Sequence, residues 1–210
     1  MKFLRVVGFL ICSMCLGTLA AQGTSPSIAP IDYGIKGIGA LSPDQSRALL
    51  NCYLAGDAAT KIVELRGEGK SSDEIIKHYE KSVDKGWMKL IHDVLPFVVK
   101  DNPPASTQVE YGSNFYGKCL DEDLNEKALQ VALYCYRLNQ FSLLAFSFRS
   151  IGDPMEAAYT KMPVHEKVKL VTDELLMRAK KTDKSKEVQF RAQTYYGCLG
   201  HPEINPMAPR

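Results

Sequence analysis

The sequence predicts an all-α protein made of two tandem copies of a roughly four-helix unit, each stapled by one disulfide and packed as a helical bundle. Three observations carry this expectation. Helix start and stop signals recur through residues 42–199, and no stretch alternates with period two for long enough to make a strand. A cysteine-anchored pattern also occurs twice. Cys52 is followed by Arg66 and Gly69, and Cys135 by Arg149 and Gly152 at the same offsets. Each copy closes on a second cysteine, in Asn114-Phe115-Tyr116-Gly117-Lys118-Cys119-Leu120 and in Gln193-Thr194-Tyr195-Tyr196-Gly197-Cys198-Leu199. The copies are offset by 83 residues at their start and 79 at their end, as one short deletion would leave them. A period of this length marks a duplicated supersecondary unit.

Residues 1–21 read as a secretory signal that is removed. Lys2 and Arg5 supply the positive n-region, Val6 to Leu16 the apolar h-region, and Thr18-Leu19-Ala20 the small residues before a cut after Ala20 or Ala21. The competing reading is a membrane anchor, for which the apolar run is short of the ~20 residues needed to span. Residues 22–41, rich in Gly, Pro and Ser, read as a flexible leader. Its stretch from Ile31 to Ile38 is more apolar than a linker and is expected to lie on the domain surface or on a partner.

The first copy spans 42–122. Ser42-Pro43-Asp44-Gln45 orders an N-cap, a first-turn proline and a capping-box glutamine, so a helix runs to about Arg66, where Gly67 and Gly69 stop it. Ser71-Ser72-Asp73-Glu74 starts a second helix, interrupted by Gly86. Trp87, Leu90, Ile91, Val94, Leu95 and Val98 mark the face of a third, which Pro96 should kink. Asn102-Pro103-Pro104 breaks the chain, and Thr107 with Glu110 caps a fourth helix ending near Cys119.

The second copy, 123–199, follows the same plan. Asp123 with Glu126 caps a long helix to Arg149, and Asp153-Pro154-Met155-Glu156 starts the next. Pro163 opens Val164–Lys181, with Val168, Val171, Leu175 and Leu176 on one side. Asp183 to Ser185 begins the last helix, which ends at Gly200. The tail 200–210, with three prolines, is expected to be irregular.

Composition narrows the function classes. The chain has 26 basic and 24 acidic residues, and its first 21 residues hold two basic and no acidic ones, so the remainder is formally neutral. This gives no support for nucleic acid or anionic lipid as partner. Residues 42–122 carry net −3 and residues 123–210 net +3, a split that favours docking of the copies or head-to-tail association, or arises by chance. Without Cys12 and Cys15, four cysteines remain, an even number that favours disulfides in an oxidising compartment.

In each copy one cysteine lies in the first long helix and the other near the end of the last. Cys52–Cys119 and Cys135–Cys198 are the expected pairs, each closing a loop of about 65 residues, which chain entropy values at roughly 4 kcal/mol. Two other connectivities are open, and a cross-copy pairing would make one interlocked domain. Zinc is the rival reading, but no Cys-x-x-Cys or close histidine pair is present. Arg66 and Arg149 suit the negative ends of their helices, with an anion or partner site as the alternative. Gly69 and Gly152 read as turn glycines, and Tyr116 and Tyr196 are expected to pack against the disulfides.

The helix from Leu124 to Phe148 is apolar almost all round in Phe141 to Phe148, as expected of a central buried helix. Its excess apolar surface is otherwise a dimer face or the lining of a lipid pocket, while Arg137, Asn139 and Gln140 argue against a membrane span. His78, His92, His165 and His201 are scattered and form no His-Glu-x-x-His. No Gly-x-Ser-x-Gly, phosphate loop or calcium loop occurs. Asp121-Glu122-Asp123, Asp173-Glu174 and the basic run Lys180 to Lys186 read as solvated or capping segments.

The repeated block of cysteine, helix, Arg-x-x-Gly, capped helix and closing cysteine resembles small secreted helical proteins of Gram-negative bacteria. In general plan it is similar to the periplasmic immunity proteins of type VI secretion, which are compact, helical and disulfide-stapled. The resemblance implies architecture; no motif carries toxin-binding residues over. The expectation is therefore an exported, non-enzymatic protein without cofactor or metal, binding a protein partner in the periplasm or outside the cell, an inhibitor or immunity role being one form. Arg66, Arg149, Phe141, Leu144 and Phe148 are its candidate interface or ligand-face residues. The alternatives are a carrier of a small apolar ligand, with a cavity beneath Phe141, Leu144 and Phe148, and an enzyme whose site assembles from scattered residues.

Overall fold

The computed structural model describes residues 31–80, 85–151 and 166–202, with the side chains of all of these except 85, 147–151 and 166–167. Among the described residues the protein is all-helical. The helices are α1 (Pro43–Gly67), α2 (Ser72–Glu80), α3 (Lys85–Asp101), α4 (Gln108–Leu120), α5 (Glu126–Ile151), α6 (Glu166–Lys181) and α7 (Glu187–Leu199). Single 3-10 turns, Ala105–Thr107 and Lys184–Lys186, lead into α4 and α7.

Local chemistry accounts for most of the boundaries. At α1, Gln45 N donates to Ser42 Oγ and Ser42 N donates to Gln45 Oε1, closing the capping box. Gly69 takes a left-handed φ of 85° after the last turn. Ser71 and Glu74 cap α2 by the same reciprocal pair. Gly86 lies inside α3, and the helix continues through Pro96 to Asp101. Asn102, with φ 44°, then turns the chain. Gly200, with φ 80°, ends α7.

Two expected caps do not form. Thr107 leaves the α4 amides alone because its hydroxyl donates to the Pro104 carbonyl at 2.8 Å, closing the 3-10 turn. The cap of α5 is Asn125 rather than Asp123: Ala128 N donates to Asn125 Oδ1 at 3.0 Å. Asp123 sits in the preceding turn, where its carbonyl receives Gln45 Nε2. The expected caps at Asp153 and Pro163 lie outside the described residues.

Both within-copy disulfides are present. Cys52 bonds Cys119 and Cys135 bonds Cys198, with Cα atoms 5.6 and 5.5 Å apart. Each ties the first helix of its copy to the last. The cores, however, do not divide at the copy boundary. One apolar cluster joins Leu49, Cys52 and Tyr53 of α1 and Tyr116 and Leu120 of α4 to α5, α6 and α7. A second joins the C-terminal half of α1 to α2 and α3. Helix α1 therefore runs through both cores. It meets α4 closely because Gly112 has no side chain: a methyl there would collide with Thr60 Oγ1 and the Gly56 carbonyl.

Part of the expected flexible leader is docked. Ile31, Tyr33 and Ile38 pack on the first cluster, and Ile38 N donates to the Leu199 carbonyl at 2.9 Å. Tyr134 donates its hydroxyl to the Tyr33 carbonyl. The apolar content of this stretch, set against its turn-forming glycines, is the physical reason it lies down on the bundle.

Candidate functional site

The interior is organised by four tyrosines at matching positions of the two copies. Tyr53 and Tyr136 each follow the opening cysteine, and Tyr116 and Tyr195 each precede the closing cysteine by three residues. They pair across copies. Tyr116 stacks on Tyr136 with centroids 4.3 Å apart, and Tyr195 lies on Tyr53 at 4.6 Å. The Tyr116 and Tyr195 hydroxyls share a hydrogen bond of 2.7 Å. Burial pushes all four phenols far above the usual tyrosine range. They are neutral structural groups rather than acids.

The copies differ at several positions in this interior, and two of them hold a charged pair. Five residues after the opening cysteine stands Asp57 in one copy and Gln140 in the other; seven before the closing cysteine stands Gly112 in one and Arg191 in the other. Arg191 Nη2 donates to both Asp57 oxygens at 2.9 Å, and Gln140 Nε2 donates to Asp57 Oδ1 at 2.8 Å. The side chains of Arg191 and Asp57 are 10% and 16% exposed. Burial alone would weaken the Arg191 cation, but the Asp57 carboxylate and nearby tyrosines hold its pKa above the ordinary value. Tyr53 donates to Asn139 Oδ1 alongside. The sequence offered one signal that was missed: Asp57 and Arg191 are opposite charges set in apolar runs, Ala55 to Ala59 and Phe190 to Ala192.

Two surface features remain. A cleft of about 450 Å³ is lined by Lys61, Glu64, Glu68, Lys70, His78, Tyr79 and Trp87. Its carboxylates have lysine partners: Lys61 Nζ lies 2.6 Å from Glu64, and Lys70 bonds Glu68. The hydrogen bond from Lys70 holds Glu68 below the usual carboxylate range, so Glu68 is not set up as a proton donor at neutral pH. The second feature is a groove of about 400 Å³ between α3 and α4, lined by Phe97, Asp101, Tyr111, Asn114, Phe115, Lys118 and Cys119. Phe97 is 57% exposed and meets Phe115 edge-on at 5.9 Å. Tyr111 donates to Asp101 Oδ2 at 2.8 Å within this lining.

The residues singled out in the sequence are dispersed. Arg66 is half-buried at the end of α1, where Nη2 donates to Asn102 Oδ1 at 3.1 Å and braces the turn after α3. Phe141 is fully buried and Leu144 packs half-buried against the same cluster. The side chains of Phe148 and Arg149, and Gly152, lie outside the described residues. Tyr116 and Tyr196 are buried in the cluster that contains Cys52, Cys135 and Cys198. Among the described residues, no group of three or more His, Cys, Asp or Glu is placed to hold a metal, and no helix is long and apolar enough to cross a membrane. Compared with known proteins, the chain matches no family model, no curated protein and no solved structure.

Proposed function

We propose that the protein is an exported, non-enzymatic binding module whose partner is a protein in the periplasm or outside the cell. Phe97 is the observation that carries this reading. A phenylalanine 57% exposed, beside an apolar groove on a scaffold of disulfide-tied helices, has the character of an interface anchor: rigid, aromatic and waiting to be desolvated. The interior carboxylate and guanidinium are engaged with each other, which leaves them to brace the fold. Two disulfides fit an oxidising compartment, in keeping with a removable signal at residues 1–21.

The test places a photoreactive phenylalanine analogue at position 97 and, as a control, at the exposed Lys169 of α6. After irradiation in the producing cells, one discrete adduct at position 97 and none at 169 is expected. No adduct at 97, or the same adducts at both positions, overturns the reading. The carrier alternative makes a different forecast: a fluorescent fatty acid should bind the mature protein at one site, and failure to bind removes it.

A further inference from the structure

The two disulfides stand in different surroundings. Cys135 and Cys198 are 0% and 2% exposed, and Cys52 is 3% exposed. Cys119 is exposed and forms part of the wall of the α3–α4 groove. Cys119 is thus the one exposed residue of the four bonded cysteines, and the groove it lines is where an external thiolate would approach its bond. Lys118, also exposed and in the same wall, adds a cation that favours an incoming anion. The aromatic lining at Phe97 and Phe115 gives an apolar thiol carrier a surface to rest on.

We infer that Cys119 is a thiol–disulfide exchange site at which an external dithiol opens the Cys52–Cys119 bond while Cys135–Cys198 stays closed. In the first step a thiolate of the dithiol bonds to Cys119 Sγ. The Cys52–Cys119 bond breaks, and its electron pair leaves on Cys52 Sγ, which takes a proton. In the second step the remaining thiol, deprotonated, attacks the mixed disulfide and releases the Cys119 thiolate. The dithiol is oxidised to a disulfide and the cystine is reduced to two cysteines. Exchange depends on access to the attacked sulfur as well as on thiolate fraction, and access here separates the two bonds. The outcome is a protein whose α1–α4 staple can be released on its own. This inference does not rest on the function proposed above, although a partner seated at Phe97 would cover the same groove.

The experiment exposes the folded, fully oxidised protein to dithiothreitol without denaturant, quenches with an alkylating agent over time and maps the labelled peptides. Cys52 and Cys119 should become labelled together, about tenfold or more ahead of Cys135 and Cys198. In parallel, glutathione followed by alkylation should trap a glutathione adduct on Cys119 with the alkyl group on Cys52. Simultaneous opening of both pairs, earlier opening of Cys135–Cys198, or a glutathione adduct on Cys52 overturns the proposal.

Discussion

Tyr116 and Tyr195 meet hydroxyl to hydroxyl at 2.7 Å, although each stands three residues before a different closing cysteine, 79 residues apart in the chain. The contact lies in a cluster where each copy's first-helix tyrosine rests on the other copy's last-helix tyrosine. Such exchange makes the copies mutually dependent. A unit alone would expose two aromatic faces and lose half of the cluster. Both hydroxyls are fully buried, so removing one strands the other. Tyr116→Phe and Tyr195→Phe should each cost about 1–3 kcal/mol, and the double replacement less than their sum. Denaturant unfolding of the oxidised proteins measures this.

The Asp57–Arg191 pair gives a sharper contrast. Removing one partner leaves a buried charge, so Asp57→Ala should lower stability by about 3–5 kcal/mol. The double variant Asp57→Leu with Arg191→Met should recover most of that loss. Arg191 Nε and Gln140 Oε1 are buried without a partner, so the polar cluster already carries an unsatisfied cost. Urea unfolding of the wild type, Asp57→Ala and the double variant distinguishes a structural brace from an indispensable charge.

High pH should unfold the protein cooperatively. Burial raises the Tyr33 and Tyr79 pKa values to about 12 from an ordinary 10.0, and raises Tyr53, Tyr116, Tyr136 and Tyr195 further. Above pH 10 the unfolded chain releases these protons while the folded chain retains them. Stability is therefore full below pH 10 and falls as pH rises towards 12. Tyrosinate absorbance and loss of helical circular dichroism should appear in one transition. Gradual tyrosine ionisation with the helices intact would contradict this burial.

Gly112 sets the spacing of α1 and α4. Gly112→Ala puts a methyl against Thr60 Oγ1 and the Gly56 carbonyl, neither a flexible side-chain end. A loss of about 1–3 kcal/mol is expected, the range for overpacking. Gly69→Ala, at a position with open space around it but φ 85°, should lower stability through backbone strain alone. Thermal unfolding compares the two.

Cys135→Ser should cost about 2–5 kcal/mol, the usual effect of losing a native disulfide in a small secreted domain. Guanidinium unfolding against the wild type reads the difference directly.

Helix punctuation was the most legible part of the sequence. Ser42 with Gln45, Ser71 with Glu74, and Gly200 act where their spacing placed them, because caps depend on neighbours within four residues. Thr107 and Asp123 show the limit of that logic. A hydroxyl can turn back to a preceding carbonyl, and Asn125, not Asp123, directly precedes the first residue of α5. The cysteine spacing gave the pairing because each bond follows from one helix beginning and another ending a unit. The exchange of tyrosines was not legible, since like residues at like positions do not say which copy supplies the partner. Asp57 and Arg191 were hidden for a related reason: their pairing spans 134 residues and arises where the repeat breaks. The groove at Phe97 depends on how α3 tilts against α4, which a helical face alone does not give.

The connectivity of the disulfides bears on how the chain matures. In the folded region the first cysteine bonds the second and the third bonds the fourth. On the export proposed above, a chain threaded N-terminus first through a pore would present Cys52 and Cys119 to an oxidase before Cys135 appears. Joining cysteines in order of emergence then yields the native pattern directly. No shuffling enzyme is required, so biogenesis should tolerate loss of a disulfide isomerase and fail without an oxidase.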